Sequence, residues 1–247
     1  MSKLQSARKS SRKRSQEEIF ASYGWRDKSC LLFQITRERC DYIQSRVERV
    51  FGRGALRQQE VLEIGCGGGL LCEELARRGA IAIGVDPSEA ALSVARTHVQ
   101  REGLGQSTFF RQGFAESLPY ADGSFSVIIC LDVLEHVRDL KATLKEIARV
   151  LAPGGIFIFD TINRTLAARI ALLWIGERLP NKGLTPGLHD YHKFIKPGEL
   201  RALLTENNLH VQEMTGFMPR GFKNGRLILG PGWFMGISYI GYATKGR

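Results

Sequence analysis

The sequence predicts an α/β fold: a doubly wound sheet with helices ahead of its first strand and a helical insertion late in the chain. Three observations carry this. The run Val61-Leu62-Glu63-Ile64-Gly65-Cys66-Gly67-Gly68-Gly69 passes from an apolar strand into a glycine turn, and Val85-Asp86 closes a second strand about twenty residues on. Phe125 to Leu131 is a near-continuous apolar run, the pattern of a parallel strand covered on both faces. Between such runs the apolar spacing becomes helical, so strands and helices alternate.

Residues 1–16 read as a basic tail. Lys3, Arg8, Lys9, Arg12, Lys13 and Arg14 place six positive charges and no acid in the first fourteen residues, which leaves about +4 of the net +10 for the rest of the chain. Ser and Gln fill the gaps, so the tail buries no core and is expected to be disordered. Residues 17–247 read as one domain. Glu17 to Gly24 and Cys30 to Phe51 are predicted helices, the second with Leu32, Ile35, Tyr42, Ile43, Val47 and Val50 in one apolar stripe.

The alternation then begins: strand 60–65, helix 69–78, strand 80–86, helix 88–102, a strand near 107–112, strand 125–131 and helix 138–151. Pro153-Gly154-Gly155 is predicted as a tight turn into strand 156–161. The segment 164–190 breaks the rhythm and reads as an insertion, after which Pro197 opens another helix near its first turn. His210 to Thr215, a loop, and Trp233 to Thr244 suit an antiparallel strand pair at the sheet edge.

Composition narrows the function classes. No apolar stretch reaches the roughly 18–20 residues of a membrane-spanning helix, and no signal-peptide core stands near the start. The five cysteines (30, 40, 66, 72 and 130) show no zinc-type pairing and suit a reducing cytosol. The tail lacks interleaved aromatics and no RNA-binding module is visible, which argues against specific nucleic-acid binding. It could dock on anionic lipid, at about 1 kcal/mol per basic residue, but a merely solvated tail is the commoner outcome for such a segment. The expected location is the cytoplasm, peripheral on the inner face of the membrane; an Arg- and Ser-rich mitochondrial targeting segment is the alternative.

The chemistry clusters at predicted strand ends, where ligands bind in doubly wound sheets. Gly65, Gly67 and Gly69 form G-x-G-x-G, with Leu at position 70. With Glu63 in front, this resembles the S-adenosylmethionine (SAM) loop of Rossmann-like methyltransferases. Asp86 then stands where a ribose diol is held. Leu131 either lines the cofactor pocket or belongs to the core. Asp132, Glu135 and His136 share one face if the chain turns helical after the strand, and two carboxylates with an imidazole suit a divalent cation. The competing reading is a metal-free acceptor pocket shaped by His136.

Beyond these motifs the chain resembles the ubiquinone-biosynthesis O-methyltransferase family from about Arg39 onward. Thr161-Ile162-Asn163-Arg164, Gly187-Leu188-His189-Asp190, Lys193 to Leu200 and Leu229-Gly230-Pro231-Gly232 carry the resemblance. It implies SAM as cofactor, contacted by Gly65, Asp86 and Leu131, with Arg39 on its carboxylate. It also implies Mg²⁺ on Asp132, Glu135 and His136, and a polyprenyl phenol or quinol as the lipid-soluble acceptor. His136 and His189 become the candidate catalytic groups. A metal-independent methyltransferase for a different acceptor is the alternative. The sequence departs from the family at Phe114, where an Asp is usual, at Asp132, where a Glu is usual, and through the N-terminal quarter. Leu166, Ile170, Leu172, Leu173, Trp174, Ile175 and Leu179, edged by Arg164, Arg169, Arg178 and Lys182, suit either a lid or a helix lying in a bilayer interface. Oligomeric state is not legible.

Overall fold

A computed structural model describes residues 23–25, 27, 31–175, 189–223 and 226–247. Eight strands form one sheet in the order β3-β2-β1-β4-β5-β8-β6-β7. They are β1 Glu60–Ile64, β2 Ile81–Asp86, β3 Thr108–Gln112, β4 Phe125–Cys130, β5 Leu151–Ile162, β6 Leu209–Lys223, β7 Arg226–Gly232 and β8 Ser238–Lys245. The first five pair in parallel, and β6, β7 and β8 pair antiparallel. The helices are α1 Leu31–Phe51, α2 Leu70–Arg77, α3 Glu89–Arg101, α4 Leu140–Val150, the short α5 Leu166–Ala168 and α6 Pro197–Glu206.

The period-two alternation of the central strands splits the core in two. Leu62, Ile64, Ile128, Phe157 and Phe159 face α4 and α6 through Leu144, Ile147, Leu200 and Leu204. Val61, Val127, Ile129, Ile156 and Ile158 face the other way and pack with Ile43, Val47, Leu71, Leu75 and Leu92 of α1, α2 and α3. Covering on both faces is why β4 reads as an unbroken apolar run. The predicted stripe of α1 is correct at Ile35, Tyr42, Ile43 and Val47, all buried, while Leu32 and Val50 are half-buried. The Tyr42 hydroxyl and the Arg46 guanidinium both donate to Glu213 Oε1, at 2.9 and 3.0 Å, tying α1 to β6. Ser88 caps α3 and Asp139 caps α4, each accepting the N–H three residues on.

Three expectations change. Pro153-Gly154-Gly155 is not a turn ahead of a strand: β5 already pairs at Leu151 with Phe125, and a register shift absorbs the extra residues before Val127 meets Ile156. The expected closing loop is largely a hairpin, because β6 runs on to Lys223, which pairs with Arg226 of β7. The Asn224-Gly225 pair between them is a hairpin signal that the nearby Gly and Pro residues obscured. β8 therefore lies inside the sheet, between β5 and β6, rather than at its edge. The basic tail, most of the helix expected at Glu17–Gly24 and residues 176–188 of the insertion lie outside the described residues; Tyr23 and Gly24 are not helical. The insertion starts as α5 and continues as wide helical turns over Arg169–Ile175.

Candidate active site

The carboxyl ends of β1, β2 and β4 open into one cavity of about 530 Å³, walled by Arg39, Glu63, Gly65, Asp86, Leu131, Asp132 and His136 among others. That volume suits a drug-sized ligand. Gly65 and Gly67 have φ of 73° and 49°, the left-handed region that a side chain disfavours. A Cβ on Gly65 would lie 2.2 Å from Val133, and one on Gly67 would lie 2.3 Å from the Trp25 ring. The loop is glycine because backbone must turn sharply beneath two packed side chains.

Asp86, at the end of β2, fixes that loop. Its Oδ2 accepts from the Gly67 N–H at 2.9 Å and its Oδ1 from the Ser88 N–H at 2.8 Å. Burial raises its pKa, and these two N–H groups partly offset the shift. Glu63 is buried beneath the loop and accepts from Cys72 Sγ at 2.9 Å. Burial pushes its carboxyl up to about 7. Leu131 does both things expected of it, lining the cavity and packing in the core. Phe114 also lines the cavity, with the Arg138 guanidinium 5.3 Å from its ring centre.

The far wall departs from the sequence reading. Asp132 has φ 55°, so the chain makes a left-handed step instead of starting a helix. A turn follows, closed by the His136 N–H donating to Val133 O at 2.8 Å. The one-face argument for positions 132, 135 and 136 fails with it. Glu135 turns inward, where Oε2 accepts from Thr161 Oγ1 at 2.7 Å and Oε1 is buried without a hydrogen bond. Among the described residues, no three His, Cys, Asp or Glu side chains are arranged to hold a metal ion. The donors expected for Mg²⁺ do not fit one.

Asp132 is instead paired with Arg39, whose Nη1 lies 2.6 Å from Asp132 Oδ2 and whose Nη2 lies 2.7 Å from Asp160 Oδ2. Asp160 also accepts the Asp132 N–H at 2.6 Å, which holds the left-handed residue in place. The Asp132 side chain is 37% exposed, so solvent screens its pairing, and losing it costs less than the ~3–5 kcal/mol of a fully buried pair. Burial pushes Asp132 up, but Arg39 outweighs it and keeps the carboxyl below its ordinary range. Burial dominates at Asp160, raised to about 7, and at Glu135, raised to about 8 with help from the Asp132 charge. Arg39 stays charged: burial acts to lower its pKa, and Asp132 and Asp160 more than compensate.

His136 reaches the cavity, and its ring centre lies 5.4 Å from that of His189. Burial, with His189 adding to it, pushes His136 down to about 4, so the imidazole is neutral at pH 7. The structure thus brings Arg39, Glu63, Gly65, Gly67, Asp86, Leu131, Asp132, His136 and His189 to one region and turns Glu135 away. Asp160 and Trp25 escaped the sequence reading. A lone acid in Ile156-Phe157-Ile158-Phe159-Asp160 was a usable signal, since buried acids are rare without a partner. Nothing in the sequence tied Trp25 to the glycine loop.

Comparison with known proteins agrees with this geometry. The methyltransferase-domain family matches residues 62–159. The ubiquinone biosynthesis O-methyltransferase of Acinetobacter baumannii (strain AYE) is 38% identical over 186 residues, 75% of each chain. That of Hahella chejuensis is 40% identical over 186 residues, 75% of this chain and 74% of its own. In fold, the chain is similar to magnesium protoporphyrin IX methyltransferase from Synechocystis PCC 6803 with bound SAH, at TM-score 0.58 and 23% identity, covering 85% of this chain and 84% of that one.

Proposed function

Since the chain belongs to the ubiquinone biosynthesis O-methyltransferase family and is a SAM-dependent methyltransferase, we propose that it methylates a phenolic oxygen of a polyprenyl quinol precursor. The observation that carries this is one cavity whose lining brings Gly65 and Asp86 together with His136, whose ring centre lies 5.4 Å from that of His189. When bound, SAM supplies a methyl group on a sulfonium, and the cofactor side of the cavity fits it. Asp86 offers its carboxylate to the ribose, and the bare backbone at Gly65 and Gly67 admits the methionine portion. Arg39 has its Nη atoms committed to two acids and holds its charge beside that end.

The chain's own part in the chemistry is to orient and to move one proton. Holding the acceptor oxygen in line with the methyl group supplies proximity, worth up to about 7–11 kcal/mol of barrier. Neutral His136 has a lone pair for the phenolic proton, and His189 beside it gives the proton an onward path. Lys193, on the cavity wall, favours the phenolate that forms. No step requires a metal ion. The test is methyl transfer to a demethylquinol by the purified enzyme, alongside mass-spectrometric identification of the quinol that accumulates when the gene is deleted. Accumulation of an unrelated metabolite, with no turnover of quinols, would remove this acceptor class.

The acceptor's source follows from the rim of the site. Leu166, Ile170, Trp233, Phe234 and Ile237 are exposed apolar side chains, Trp233 to 87%. They flank the carboxyl end of β5, the edge of the sheet that carries the cavity. The Asn163 N–H donates to Ile237 O and its side-chain amide to Met235 O, both at 2.8 Å, which joins the two segments. Arg169 adds positive charge nearby, and Arg164 beside it is ion-paired with Glu199. An apolar patch with a basic border suits an anionic bilayer surface, from which a polyprenyl acceptor would enter. Flotation with vesicles containing phosphatidylglycerol tests this: the wild type is expected to float, and Trp233→Ser to float less. Equal recovery of both, with or without anionic lipid, would sink it.

A further inference from the structure

One of the three positions expected to hold a divalent ion, Asp132, meets a guanidinium instead. We propose that Arg39 is the resident cation of this cavity, that Asp160 is the positioning residue that fixes it there, and that Asp132 serves Arg39 rather than a metal ion. Three carboxylate oxygens are taken up by this arrangement. Asp132 Oδ2 accepts from Nη1 at 2.6 Å and Asp160 Oδ2 from Nη2 at 2.7 Å. Asp160 Oδ1 accepts the Asp132 N–H at 2.6 Å.

The two other supposed ligands are unsuited to an ion here. Glu135 is bonded to Thr161 at 2.7 Å on the inner side of the turn. His136 neighbours His189 rather than Asp132, and the Lys193 ammonium lines the same cavity, so a second cation there meets a positive charge. To enter, an ion would have to displace Arg39, breaking two ion pairs at once and leaving a buried guanidinium with no acid. Asp160 does more than balance charge. By holding both Arg39 and the left-handed backbone at Asp132, it sets the direction in which Asp132 points.

The consequence for chemistry, which rests on the methyl-transfer reading above, is a fixed positive charge near the reacting groups. A covalently attached charge of this kind neither exchanges with solvent nor depends on metal supply. The inference itself concerns ion binding and can be tested without knowing the acceptor.

The experiment is a Mn²⁺ titration of the chelator-stripped full chain, read by loss of the free-ion paramagnetic resonance signal. Wild type is expected to bind no Mn²⁺ more tightly than about 1 mM, the weak end of carboxylate sites. Methylation of a soluble catechol is expected to be unchanged by chelator. Arg39→Met leaves Asp132 and Asp160 facing each other without a counter-charge, and this variant is expected to gain a Mn²⁺ site. Tight Mn²⁺ binding by wild type that Asp132→Asn abolishes would overturn the proposal. So would loss of catechol methylation in chelator with recovery on adding Mg²⁺. A folded Arg39→Met that stays silent toward Mn²⁺ would overturn it too, since the two acids would then form no cation site. If Arg39→Met does not fold, the wild-type titration decides alone. Absence of turnover on every catechol, with the Mn²⁺ result intact, would bear on the acceptor only.

Discussion

The two walls of the cavity are built on different principles. The cofactor wall, from β1 to β2, is backbone: glycines in left-handed conformations, with one carboxylate, Asp86, gripping two N–H groups. The facing wall, after β4 and β5, is side chains: a network of Arg39, Asp132 and Asp160 beside two imidazoles. Backbone geometry is dictated by a few residues close in sequence. The network joins residues from α1, the turn after β4 and the carboxyl end of β5. One wall tolerates little substitution, whereas the other can be retuned by single side chains.

Asp86→Ala should separate the walls most sharply. It removes the ribose partner and strands the Gly67 and Ser88 N–H groups. Each hydrogen bond to a charged group is worth about 1.5–3 kcal/mol, so the SAM dissociation constant should rise by roughly a hundredfold or more. Calorimetry of SAM binding reads this directly. A variant that binds SAM as the wild type does would show that the backbone alone makes this wall.

His136→Gln probes the opposite wall with a smaller effect. Loss of one proton acceptor should lower kcat by about 10²-fold or somewhat less, leaving the SAM dissociation constant where it was. Steady-state kinetics with both substrates varied gives the split. Parallel loss of SAM binding would mean that the walls are not separable.

Glu63→Gln is the mildest and concerns stability. The folded-state pKa of Glu63 is about 7, against the ordinary 4.5. Between about pH 4.5 and 7 the folded protein therefore holds a proton that the unfolded chain has released, so stability falls as pH rises through this window. The stabilising contribution is complete below about 4.5 and gone above about 7. Glutamine keeps an acceptor for Cys72 without the charge, so the variant should match wild type at pH 5 and exceed it by roughly 2 kcal/mol at pH 8. Thermal unfolding across that range is the measurement, and a difference that does not change with pH would refute the assignment.

The same contrast explains what the sequence made legible. Gly65, Gly67 and Asp86 could be placed because a strand, a tight turn and the end of the next strand are local patterns with one physical solution. The doubly wound sheet followed from apolar runs that must be covered on both faces, but its strand order did not. Asp132, Glu135 and His136 could be located but not oriented, because their directions depend on the left-handed step at Asp132. That step is held by Asp160, twenty-eight residues away. Arg39 could be assigned a positive charge and a neighbourhood, yet not the two acids it meets. β8 was misjudged for a related reason: its place between β5 and β6 is set by long-range pairing, and Trp233-Phe234-Met235-Gly236 ahead of it resembles strand continuation locally.

Trp25 has a practical consequence. Its indole is largely buried against Gly67 and Gly68, so the backbone of the glycine loop forms one side of its environment. Trp233, by contrast, is almost fully in water. The chain thus carries a blue-emitting tryptophan at the cofactor wall and a red-emitting one at the rim, with Trp174 the third. In a Trp174→Phe background, two spectral components of one native fluorophore can therefore follow cofactor occupancy and surface docking separately, without any added label.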